Sequence, residues 1–199
     1  FLLVSLGGLF LSTGGALFKL FENQDVWTIY FWRSFFFTPA VLLFLFFTSK
    51  NQVIKKFKSL GLIGMICGAL YASGSGAYMF AMKYTTVANV LFIISTQTFM
   101  LAIGGYFILK EKINISTAIA IIMASVGIYI MIGTKVSNGT MLGNSLAFVT
   151  PLCFTSIVMI IRKYKQTDMV PAVALSGVIC MVVGALLSKD LSLNTHDLF

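Results

Sequence analysis

Charge is scarce in this chain. Only 10% of its 199 residues are Asp, Glu, Lys or Arg, against 58% that are hydrophobic, and the mean hydropathy is +0.96. A soluble domain carries roughly a quarter of its residues as charges to cover its surface, so a soluble globule is excluded. Histidine is almost missing: His196 stands alone in a polar tail. Acidic groups avoid the apolar stretches, because Glu22, Asp25, Glu111, Asp168, Asp190 and Asp197 all fall in or beside polar segments. A membrane-embedded enzyme needs a nucleophile with a base, or clustered metal ligands. No HExxH, GxSxG or carboxylate pair is there to supply them, so the expectation is a non-enzyme without cofactor or metal. Cys67, Cys153 and Cys180 lie in separate apolar runs without metal-ligand spacing and read as small packing residues. The chain opens on Phe1 without the basic n-region of a signal peptide, and we expect it to be a piece of a longer protein.

What the chain does have is long apolar runs. A helix needs about 20 mostly apolar residues to cross a hydrocarbon core of roughly 30 Å. Seven stretches qualify: residues 1–21, 27–47, 60–82, 86–109, 114–133, 143–161 and 170–188. Backbone amides in lipid must be paired within their own segment, so these runs are helices, and the fold class is an all-α polytopic membrane protein. With the N-terminus placed in the cytoplasm, the inner loops hold Lys50, Lys55, Lys56, Lys58, Lys110, Lys112, Arg162, Lys163 and Lys165. The outer loops hold only Lys19, Lys83, Lys135 and Lys189. Cytoplasmic loops collect Lys and Arg, which favours this orientation. It also accounts for most of the net charge of +8 without invoking nucleic acid.

The chain resembles itself at a shift of 143 residues. LFLSTGGALFKLFENQDV from Leu9 then lies on LCFTSIVMIIRKYKQTDM from Leu152, with Lys19 on Arg162, Asn23 on Gln166 and Asp25 on Asp168. Five spans separate the copies, so the second enters the membrane upside down. Inverted repeats of this kind recur in transporters, with a binding site near the midplane where the halves meet. The expected domains are a five-helix repeat over residues 1–133 and the truncated, two-helix start of a second repeat over residues 143–199.

The stretch YTTVANVLFIISTQTFMLAIGGYFILKEKINISTAIAIIMASVGIYIMI, from Tyr84, resembles the EamA-like domain of the drug/metabolite transporter superfamily. The matching features are Tyr84-Thr85, the small residue Ala88, Glu111 at the cytoplasmic end and the late Gly127, with Arg33 early in the second helix. The family often has a proline in the middle of its fourth helix, where this chain has Thr98, so a proline kink is not assured. The resemblance implies export or exchange of a metabolite, amino acid, nucleotide sugar or drug-like solute, by alternating access. A channel, or a non-catalytic subunit of a larger complex, is the alternative. The expected setting is the plasma (inner) membrane, with a small-molecule substrate and the bilayer as partners and a homodimer left open.

Six residues are candidates for lining a substrate site: Arg33, Tyr71, Tyr78, Asn89, Thr96 and Gln97. Arg33 is the one cation well inside a span, and an intramembrane charge is by default a functional hypothesis. It sits six residues past Trp27, about 9 Å of helix, so a snorkelling anchor competes with a substrate-binding cation. Asn89, Thr96 and Gln97 share one face of the fourth run and can bind substrate or act as hydrogen-bonded helix glue. Tyr71 and Tyr78 add hydroxyls in the third run, as do Ser73 and Ser75. Trp27, Tyr30 and Trp32 read as an outer interfacial belt. Small residues at Gly64, Gly68, Ala72 and Gly76 predict close helix packing in the third run, with a weaker stripe at Gly8, Ser12 and Ala16 in the first. Glu111, between Lys110 and Lys112, reads as a loop carboxylate or, from the resemblance, as a tie between cytoplasmic helix ends.

Overall fold

The computed structural model describes residues 25–49, 53–110, 115–133, 140–164 and 170–188. The first apolar run, with its small-residue stripe, and Glu111 lie outside the described residues. Every described element is helical: α1 (Val26–Ser49), α2 (Val53–Ser59), α3 (Gly61–Tyr84), α4 (Val87–Ser95), α5 (Gln97–Leu109), α6 (Ile115–Gly133), α7 (Met141–Lys163) and α8 (Val170–Leu187). By length and composition α1, α3, α4 with α5, α7 and α8 can each cross a membrane. The protein is an all-α polytopic membrane protein. Its outward residues fit that solvent, since Phe36, Phe47 and Phe107 are 67%, 76% and 74% exposed, which water would penalise and lipid does not.

The six described runs match the helices within a few residues, but the fourth is broken. It divides into α4 and α5 at Thr96, although no proline stands there. Ser95 Oγ donates to the Phe92 carbonyl and Thr96 Oγ1 to the Ile93 carbonyl, both at 2.6 Å. Such local side-chain bonds compete with the α-helical ladder. The Thr96 N–H accordingly reaches Ile93 O at 3.1 Å, a tighter 3₁₀-type step.

Helix α3 is the hub, packing on α7 most extensively and then on α8, while α1 pairs mainly with α8 and α7 also receives α4 and α5. Glycines set these approaches. A Cβ at Gly68 would stand 3.3 Å from the Ala172 carbonyl of α8, and one at Gly74 3.0 Å from Cys153 Cβ of α7. Part of the expected stripe thus works as a packing surface, but Gly74, off the stripe, makes the approach to α7. In α8, Gly184 faces the Phe31 backbone and Gly177 faces Thr38. Thr28 Oγ1 and Ser188 Oγ are 2.7 Å apart at the other end of the same pair, so α1 and α8 run antiparallel. The lone helix α6 is peripheral, with Gly127 against Phe92.

The helix directions gather the charges. Lys55, Lys56, Lys58, Lys110, Arg162 and Lys163 lie at one end of the bundle, and Lys83 lies at the other, beside Thr140 and the start of α1. Two residues with positive φ shape the basic end. Gly61 (φ 52°) turns α2 into α3, and Lys110 (φ 56°) closes α5 in a left-handed cap.

Candidate functional site

Helix α1 places Arg33 on the face toward α3. One guanidinium nitrogen donates to Ser75 Oγ at 2.9 Å and the other lies 3.7 Å from Met79 Sδ. Side chains on a helix tilt toward its N-terminus, and that tilt carries the guanidinium along α3 toward Tyr84. It stops between Ser75 and Met79, which at 1.5 Å per residue is about 8–14 Å short of Tyr84. The side chain climbs toward the interface and is held by Ser75 and Met79 before reaching it.

Tyr71, Ser75 and Tyr78 occupy one side of α3 at spacings of four and three residues, so the two phenols flank the hydroxyl that holds Arg33. Tyr71 stands edge-on to Phe154 of α7, with centroids 5.0 Å apart at 88°. Neither phenolic hydroxyl has a hydrogen-bond partner among the described residues. Arg33 itself is exposed, while Tyr71 and Tyr78 are half-buried. The only described carboxylate side chain is Asp25, and Arg33 forms no ion pair among the described residues.

The remaining three candidates are placed elsewhere. Asn89 is buried and its amide donates to Thr85 Oγ1 at 3.2 Å, while Thr85 Oγ1 lies 2.9 Å from Asn144 Oδ1 on α7. Thr140, the N-cap of α7, donates from both its N–H (3.2 Å) and its hydroxyl (2.7 Å) to the Tyr84 carbonyl. Asn89 is thereby part of a clasp between the α3–α4 turn and the start of α7. Thr96 spends its hydroxyl on Ile93 at the helix break. Gln97 is half-buried, begins α5, and has no hydrogen-bond partner among the described residues; nothing ties it to the Arg33 group.

Tyr30 also departs from expectation. It is buried, and its hydroxyl contacts the Ala72 carbonyl at 2.7 Å and Cys180 Sγ at 2.9 Å. It joins α1, α3 and α8 rather than an interfacial belt, whereas Trp27 packs on Phe80 near the helix ends. Among the described residues no group of three or more His, Cys, Asp or Glu is arranged to hold a metal ion.

The family model of the EamA-like transporter family matches residues 1–133. Searches of curated proteins and of solved structures return no match.

Proposed function

Because the chain belongs to the EamA-like transporter family, we propose that it moves a small organic solute across its membrane by alternating access between inverted repeats. The crossing of α1 and α8 carries this reading. Under the shift of 143 residues, Gly177, Gly184 and Ser188 are equivalent to positions 34, 41 and 45 of α1. Their partners are Thr38, Phe31 and Thr28. Each pair is thus centred near Phe36 and its equivalent Ile179, so the helices cross in the antiparallel register of a local two-fold axis. Such an axis in the membrane plane supports two halves of opposite orientation, the first over residues 1–133 and the second beginning at residue 143.

The polar cluster of Arg33, Ser75, Tyr71 and Tyr78 borders this crossing and serves as the substrate site. The basic end of the bundle faces the cytoplasm of a plasma membrane, which places the start of α1 outside. The test is flux through the full-length protein in liposomes, using labelled amino acids, nucleotide sugars and organic anions. Saturable uptake with counterflow is expected for one class. Non-saturating ionic conductance instead would overturn the carrier in favour of a channel.

A further inference from the structure

We infer that the Arg33 cluster binds the carboxylate of a small organic monoanion, a ligand class that deepens the transport reading and rests on it only for the site being reachable from solution. The first ground is charge. A guanidinium held within a bilayer is costly unless it pairs, yet Ser75 and Met79 are neutral and no carboxylate meets Arg33 among the described residues. The side chain presents a rigid fork of five N–H donors, and Ser75 and Met79 leave part of that fork unused. Carboxylates accept such forks through two parallel hydrogen bonds.

The second ground is the set of donors beside it. Tyr71 and Tyr78, one turn to either side of Ser75, carry hydroxyls without partners among the described residues, and a phenol O–H donating to a carboxylate oxygen is a charge-assisted bond. Among the described residues, charge balance favours a ligand of single negative charge. Arg33 is the only described Lys or Arg in the apolar spans away from a helix end, so one negative charge is neutralised and a dianionic phosphate monoester is not. The edge-on pair of Tyr71 and Phe154 offers an aromatic wall to the apolar body of such an acid.

The full-length protein, reconstituted in zwitterionic vesicles at constant ionic strength, is titrated with benzoate, benzamide, benzylammonium and phenyl phosphate. Binding is read from tryptophan emission, since Trp27 and Trp32 precede Arg33 on α1, Trp32 immediately. Benzoate should give a saturable response, with the other three at least about tenfold weaker, and Arg33→Gln should weaken benzoate by at least about tenfold. Arg33→Lys should fall between, because an ammonium keeps the charge and loses the fork. Equal affinity for benzoate and benzamide, tighter binding of phenyl phosphate, or an unchanged affinity in Arg33→Gln overturns the assignment. If Arg33→Gln does not fold, the benzoate–benzamide contrast on the unaltered protein and the loss expected in Tyr78→Phe decide the matter. Counterflow in the same vesicles separates the two readings. Saturable flux of a neutral or cationic solute without benzoate binding overturns the anion site and keeps the carrier. Benzoate binding without flux of any solute supports the anion site and overturns the carrier.

Discussion

Adding one methyl group at Gly143 should open the join between α7 and the α3–α4 turn. A Cβ there would lie 2.7 Å from the Tyr84 carbonyl carbon, 2.8 Å from Thr85 Cβ and 2.9 Å from Thr85 N. Carbon atoms rest at about 3.5–4.0 Å, so the backbones must separate by about 0.8 Å, and no side chain can rotate away to absorb it. The same displacement stretches the Thr85–Asn144 bond of 2.9 Å past hydrogen-bonding range. It also strains the two bonds from Thr140 to Tyr84 O. Overpacking costs about 1–3 kcal/mol, and each lost bond adds about 0.6–1.5 kcal/mol. A total of about 2–4 kcal/mol corresponds to a roughly 30- to 900-fold larger opening equilibrium. The assay is thiol labelling of Cys67, Cys153 and Cys180, none of them in a disulfide, in the purified protein during a thermal ramp. Gly127→Ala is the control, since its Cβ would meet only Phe92 Cζ at 3.8 Å, an ordinary contact, and should match or slightly exceed the parent. Equal stability of Gly143→Ala and Gly127→Ala would refute the reasoning.

Three further outcomes are expected. Tyr30→Phe removes the hydroxyl shared by Ala72 O and Cys180 Sγ, lowering stability by about 0.6–1.5 kcal/mol and speeding Cys180 labelling before global unfolding. Thr85→Val deletes the oxygen that joins Asn89 to Asn144 and costs about 1–3 kcal/mol; a melting curve unchanged from the parent would remove the clasp from the account. Lys83→Cys and Lys163→Cys, in a background without native cysteines, should react with a membrane-impermeant maleimide from opposite sides of sealed cells, Lys83→Cys from outside. Labelling of both from one side would contradict the orientation.

The spans were legible because hydrocarbon imposes a length and an apolar composition on any helix that crosses it. The pairing of those spans was only partly legible. Arg33 stood out as a cation in an apolar run, but its partner did not. Ser73 and Ser75 look alike in sequence, yet Ser73 donates to Ala69 O on its own helix while Ser75 receives Arg33. Which of two serines faces α1 depends on the rotation of α3, and that rotation follows from packing on α7 and α8. Asn89 acquires its place through Asn144, since the linking Thr85–Asn144 bond spans 59 positions, too far for any local pattern. The break at Thr96 had a local signal in Ser95-Thr96, whose hydroxyls turn back to the preceding turn, but absence of proline drew attention away from it.

The pairing of α1 with α8 has a consequence for how the protein is made. About 120 residues separate Ser49 from Val170, and at about 5–20 residues per second α1 spends several seconds in the bilayer before α8 exists. Two hydroxyls on its α8-facing side are prepared for that wait. Ser34 Oγ donates to Tyr30 O and Thr38 Oγ1 to Ser34 O, both at 2.7 Å and both within α1. The nascent helix therefore offers lipid a face without stranded donors at those positions. When Gly177 arrives against Thr38, docking displaces lipid without breaking a hydrogen bond, so late assembly of this pair meets no polar barrier there.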